Sequence, residues 1–94
     1  MDHRPSVELL ESIHSFPGVF QIKAIGVNEN DFVARVLTAV QEEVATPSEI
    51  DHTLRETPDG KHVSLTLDVT VQSAEQVRAI WDKVHKVEGL KLLL

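Results

Sequence analysis

The chain has no cysteine and no tyrosine. Without thiols there is no disulfide framework, no thiolate nucleophile and no cysteine-ligated zinc. Aromatic side chains make up only 4% of the sequence, one Trp and three Phe. Basic side chains are also in deficit: nine Lys and Arg against fifteen Asp and Glu leave a net charge of -6. Nucleic-acid binding needs a basic footprint. No Lys/Arg cluster supplies one here, so no nucleic-acid partner is expected. The first fifteen residues carry Asp2, Arg4, Glu8 and Glu11 and hold no apolar run of signal-peptide length. No later stretch is long enough to span a membrane. No membrane partner is expected, and the cytoplasm is the expected compartment.

What remains is an ordinary globular composition, 41% hydrophobic and 26% charged. Residues 1–94 are expected to form one domain, with 1–5 frayed. The strongest signal is His62 to Gln72. Val63, Leu65, Leu67, Val69 and Val71 share one parity, and Ser64, Thr66, Asp68 and Thr70 share the other. Side chains on a strand alternate faces, so this is a strand with one apolar and one polar face.

The other elements fall around it. Ser6 can cap a two-turn helix with Val7, Leu10 and Ile13 as its apolar stripe. Phe16-Pro17-Gly18 breaks that helix. Val19 to Val27 reads as a strand with Phe20, Ile22 and Ala24 toward the core, ended by Gly26. Asn28-Glu29-Asn30-Asp31 opens a helix, with Asn28 or Asn30 as the capping acceptor. Phe32, Val36, Val40 and Val44 predict about four turns, stopping before Pro47. Ile50 to Glu56 is a weaker strand, and Thr57-Pro58-Asp59-Gly60 is a turn. Placing Leu54 on the face of Val63 or Leu65 requires paired numbers to sum to an odd value, which a two- or four-residue loop satisfies. Ser73 to Gln76 forms a capping box for a helix whose stripe is Val77, Ile80, Trp81 and Val84. Leu90 to Leu94 closes the chain as a strand.

A short helix followed by βαββαβ, with right-handed crossovers, gives an α+β ferredoxin-like fold. The sheet is antiparallel and four-stranded, in order 4-1-3-2, with two helices on one face. The other face is bare. It is expected to carry Gln21, Lys23, Ile25, Thr53, Arg55, Ser64, Thr66, Asp68, Thr70, Lys91 and Leu93, with Lys23 and Asp68 in a weak exposed pair. Base-stacking aromatics are absent from that set. Leu92, Leu93 and Leu94 make both faces of the last strand apolar on an open edge. Either the first helix or a second chain must cover them, which marks the three leucines as a candidate interface for a protein partner or self-association.

Catalytic constellations do not emerge. Five histidines show no ligand spacing, and Glu8, Glu11 and His14 match a common pattern of solvated helices, so no metal or cofactor is expected. No Ser or Asp has a His orienter, which argues against an enzyme. One positional candidate is the loop Gly26–Asn30, at the start of a helix. Its N–H donors at Gly26, Val27 and Asn28 and the amides of Asn28 and Asn30 suit a small anionic or amino-acid-like ligand.

The string Phe16-Pro17-x-x-Phe20-x-Ile22-Lys23-x-x-Gly26 is unusual. Together with Leu9-Leu10-Glu11 before it, and Gly60, Ser64-x-Thr66 and Glu75-Gln76-Val77 after it, it resembles the YbeD-like family of small bacterial proteins of unknown function. The resemblance implies an ACT-like ferredoxin fold. ACT domains are regulatory modules that bind amino acids near the glycine after the first strand, where Gly26 stands. Val27 and Asn28 depart from any ACT ligand signature. The expected function is a non-enzymatic regulatory or protein-interaction module; the alternative is a small-molecule (amino-acid) sensor using Gly26–Asn30.

Overall fold

The computed structural model describes residues 4–44 and 50–94. Its elements run α1 (Val7–Ile13), β1 (Gly18–Val27), α2 (Phe32–Gln41), β2 (Ile50–Glu56), β3 (His62–Val71), α3 (Ala74–His85) and β4 (Leu90–Leu93). The four strands form one antiparallel sheet in the order β2-β3-β1-β4, the expected order read from its other edge. Pro47, expected just beyond the end of the second helix, lies outside the described residues.

The two central strands pair along their whole length, from Gly18 opposite Val71 to Val27 opposite His62. Strand β3 alternates buried and half-buried residues without a break, as its sequence parity dictates. Val63, Leu65, Leu67, Val69 and Val71 join Phe20, Ile22 and Ala24 of β1 under the helices. Each Val, Leu, Ile or Phe among them, removed from water, contributes about 1.5–3 kcal/mol of burial free energy. Phe32, Val36, Ala39 and Val40 of α2, and Val77, Ile80 and Val84 of α3, close the layer from above. Trp81 is half-buried at its margin.

Helix α1 docks against α3 rather than over β4. Ser6 caps it, its hydroxyl accepting from the Leu9 amide at 3.1 Å. Leu10 alone is fully buried, whereas Ile13, expected in the apolar stripe, faces solvent. With two turns, only one side chain can point squarely at α3. Pro5, expected to be frayed, is held: its carbonyl accepts from Arg78 Nε at 3.0 Å.

Three other expectations need correction. Helix α2 ends at Gln41, short of four turns, because the chain then turns to meet α3. There the Glu43 carbonyl accepts from Gln76 Nε2 at 2.8 Å, and the Glu43 carboxylate pairs with Lys83 at 3.0 Å. No Asn caps α2. Its N-cap is Asp31, whose side chain makes no capping bond. Asn30 and Asp31 stand at φ 54° and 56°, in the left-handed region that Asn and Asp tolerate best among side-chain-bearing residues. Strand β1 does not end at Gly26 but continues to Val27, whose amide reaches the Gly89 carbonyl at 3.0 Å.

The β2–β3 hairpin has the register required by parity. Leu54 lies opposite Leu65, and Glu56 opposite Val63. Thr57 and His62 close a four-residue loop in which Gly60 takes φ 72°. Leu54 is nonetheless 52% exposed, because the helices cover β1 and β3 and leave the outer strand projecting.

Strand β4 carries the largest departure from expectation. Leu93 pairs with Ala24 and Leu92 with Ile25, but Gly26 pairs with Leu90. Lys91 is the extra residue of a bulge, and a bulge exchanges the faces of everything beyond it. Leu93 therefore points into the core at 9% exposure, not onto the bare face as expected. Leu92 and Leu94 take that side instead, at 47% and 58%.

Candidate interaction surface and the loop after the first strand

The uncovered sheet face can be read in rows perpendicular to the strands. Asp51, Asp68 and Gln21 form one row; Thr53, Thr66 and Lys23 form the next, beside Leu94; Arg55, Ser64, Ile25 and Leu92 form the third. Leu94 belongs to the middle row because it exchanges two backbone hydrogen bonds with Lys23, at 2.9 and 3.1 Å. Above the acidic row, Val19 lies beside Thr70 and is 67% exposed. Among the described residues, no Phe or Trp sits on this face.

Two electrostatic features stand out. Asp51 and Asp68 are directly opposite each other on neighbouring strands, an arrangement that costs a few tenths to about 1 kcal/mol when like charges meet. The expected Lys23–Asp68 pair is not formed. Gln21 is the residue across from Asp68, and its Nε2 donates to the Asp68 carboxylate at 3.1 Å. Lys23 stands exposed across from Thr66. Ion pairs from Lys83 to Glu42 and Glu43 and from Lys86 to Asp82 lie on the helical side of the molecule.

Of the three leucines expected at an interface, Leu92 and Leu94 are therefore available on the bare face, and Leu93 is committed to the core. Ile25, half-buried between them and Ser64, joins the same apolar strip. The signal that Leu93 would turn inward was not in its own residue type, since all three neighbours are leucine. It lies in Lys91, which no apolar slot accepts, and in Gly89 at φ 96°.

The loop after β1 is built differently from the expectation. Gly26 leaves room above its α-carbon, and that room is filled by the ring of Phe32 and the Gly89 carbonyl oxygen. The amide of Asn28 donates to the Lys61 carbonyl at 2.9 Å, and that of Glu29 to the Val27 carbonyl at 2.9 Å. The Asn28 side chain donates to Gly60 O at 3.2 Å and Glu56 Oε1 at 3.3 Å, tying the loop to the hairpin. Arg35 spans the other side, Nε to the Asn30 carbonyl at 2.8 Å and a terminal nitrogen to the Glu88 carbonyl at 2.9 Å. The structure thus brings Gly26, Val27, Asn28 and Asn30 together, but their donors at 26–28 are taken up by the fold.

At the hairpin tip, Asp59 accepts from the Lys61 amide at 3.0 Å and the Thr57 hydroxyl at 2.7 Å. The amide hydrogen bond from Lys61, followed by that from Thr57, holds its carboxyl below the ordinary carboxylate range. The hydrogen bond from Lys83 to Glu43 pushes the Lys83 ammonium up. Both are surface groups supporting local structure. Among the described residues no three His, Asp or Glu side chains converge as a metal-binding group, and no helix is long and apolar enough to cross a membrane.

Comparison with known proteins places this geometry. Residues 11–94 match the family model described as a protein of unknown function, DUF493. A UPF0250 protein of Shewanella sediminis is 32% identical over 84 residues, covering 89% of this chain and 93% of the relative. A UPF0250 protein of Chromobacterium violaceum is 31% identical over 84 residues, covering 89% and 94%. Among solved structures, the ACT domain from GTP pyrophosphokinase of Chlorobium tepidum aligns with a TM-score of 0.63 at 20% identity, over 81% of this chain and 94% of that one. Protein HP0495 from H. pylori aligns with a TM-score of 0.62 at 15% identity, over 100% and 98%. At such identities the structural likeness is one of fold, and that fold is ACT-like, as the Phe16-to-Gly26 string implied. The chain belongs to the DUF493 family, whose curated bacterial relatives are the UPF0250 proteins of unknown function.

Proposed function

We propose that this protein is a non-enzymatic regulatory or interaction module that meets other proteins through the bare face of its sheet. The observation that carries the reading is the strip of exposed apolar side chains Leu92 and Leu94, continued by Ile25, on the uncovered side of the sheet, with Val19 exposed at the far end of the same face. Single exposed apolar residues are unremarkable, but a contiguous strip rimmed by polar residues marks a contact surface. Lys23, Gln21, Asp68 and Arg55 supply the polar surround that fixes orientation.

The experiment is capture of partners on immobilised wild-type protein and on two variants. Leu92→Asp puts a charge into the strip, and Leu54→Asp puts one on the exposed outer strand of the helical side. Partners that bind the wild type and Leu54→Asp but not Leu92→Asp support the reading. Equal capture by all three removes it.

The alternative, a small-molecule sensor at Gly26–Asn30, draws less support. The space above Gly26 is occupied by Phe32, and the amides of Val27 and Asn28 already have carbonyl partners. Titration with amino acids at millimolar concentration, followed by amide shifts of residues 26–30, decides it.

A further inference from the structure

The bare face is complementary to itself. Along β1 it presents Val19, Gln21, Lys23 and Ile25 in that order, apolar at both ends and polar in the middle. Asp68 lies beside Gln21, and Leu92 and Leu94 lie beside Ile25 and Lys23. Consider a two-fold axis across the strands, in the plane between two stacked sheets, passing midway between the Gln21 and Lys23 rows. It sets Val19 of each copy against Ile25 and Leu92 of the other. It also sets Lys23 of each copy against the Gln21–Asp68 pair of the other. Both contacts occur twice, as an isologous interface requires. Each matches like with like in polarity and opposite with opposite in charge.

We infer that a second copy of this chain docks on the bare face, sheet against sheet, about this axis. The inference rests on the reading of that face as a contact surface and names its partner. The stacking places the ammonium of Lys23, which no carboxylate among the described residues engages, close to an aspartate that faces a second aspartate in its own sheet. It also relieves the Asp51–Asp68 opposition by bringing in a cation. Strand spacing and rise give a sheet face of about 500 Å² per copy. The total is then about 1,000 Å², below the roughly 1,200–2,000 Å² of stable complexes. With a net charge of -6 on each copy opposing approach, the dimer is weak and forms at high concentration.

The test is sedimentation equilibrium on the full chain from roughly 20 µM to about 1 mM. The wild type should move from one chain toward two. Lys23→Glu and Asp68→Lys should each weaken association at least about tenfold, and the double variant, with the charges exchanged, should restore it. Val19→Asp should abolish it. All four variants alter exposed or half-exposed side chains, and circular dichroism checks that they fold. A mass of one chain throughout overturns self-docking, while the capture comparison of Leu92→Asp with Leu54→Asp judges the broader reading separately. A dimer indifferent to Lys23→Glu and Val19→Asp, or not rescued by the exchange, also overturns it.

Discussion

The ring of Phe32 lies over the α-carbon of Gly26, so that a methyl group added there would come within 2.6 Å of Phe32 Cε1 and 2.7 Å of the Gly89 carbonyl oxygen. This contact joins the end of β1, the start of α2 and the turn before β4. It explains why the two residues before Phe32 take left-handed conformations: the chain must double back within Asn28–Asp31 to drop the ring onto the strand.

Replacing Gly26 with Ala should therefore destabilise by about 1–3 kcal/mol through overpacking. Urea unfolding monitored by circular dichroism measures it. Gly26→Ala combined with Phe32→Leu should cost less than the sum of the two single changes, since the smaller side chain gives back the space.

Arg35 is the second device at this end. Its two hydrogen bonds hold the Asn30 loop and the Glu88 turn in one place. Arg35→Met should cost about 1–3 kcal/mol. It should also speed amide exchange at Val27 and Leu90, whose partners lie in the same turn. Exchange rates measured by NMR check this, and unchanged rates at both amides would contradict it.

The start of α3 gives a sharper comparison. Ser73 Oγ accepts from the Gln76 amide at 3.2 Å, while Gln76 Oε1 accepts from the Gln72 amide at 2.7 Å. The same Gln76 side chain donates to the Glu43 carbonyl. Ser73→Ala removes one cap and should cost about 1 kcal/mol. Gln76→Ala loses two bonds, one at the same helix start and one to Glu43 beyond the end of α2, and should cost more. Chemical denaturation of the two variants side by side gives the order.

Much of this architecture was legible in the residues. Strand β3 alternates with no exception, and placing Leu54 on the face of Val63 or Leu65 demands an odd hairpin parity, which the Leu54–Leu65 pair has. The four-strand order came from connection rules applied to those elements. The loop conformation at Asn30–Asp31 was hidden, because both residues are also good capping residues and composition does not separate the two uses. The length of α2 was overread because Val44 continues the four-residue spacing, while the contact that ends the helix, Gln76 to Glu43, comes from 33 positions away. The face of Leu93 was misassigned because a run of leucines has no parity and the bulge at Lys91 is a tertiary choice. The candidate surface was half visible for the same reason: its polar residues were placed by parity, and its leucines were not.

Acid should loosen the hairpin tip in a defined direction. The Asp59 carboxyl is held low in the folded state by the Lys61 amide and the Thr57 hydroxyl. Its contribution is thus present above the unfolded value of about 3.9 and is lost as pH falls through the folded value. The difference in thermal midpoint between wild type and Asp59→Ala should be clear at neutral pH and should shrink on acidification below the ordinary carboxylate range. A difference that grows on acidification would have the wrong sign.

If two copies meet through the bare sheet face and through no other surface, the residues of that face must sense protein concentration. Backbone NMR spectra of the wild type, recorded at low and high protein concentration, test it most directly. Concentration-dependent shifts centred on Val19, Gln21, Lys23, Ile25, Asp68, Leu92 and Leu94 are expected. Spectra that superimpose at all concentrations, or shifts confined to α1, α2 and α3, would contradict it.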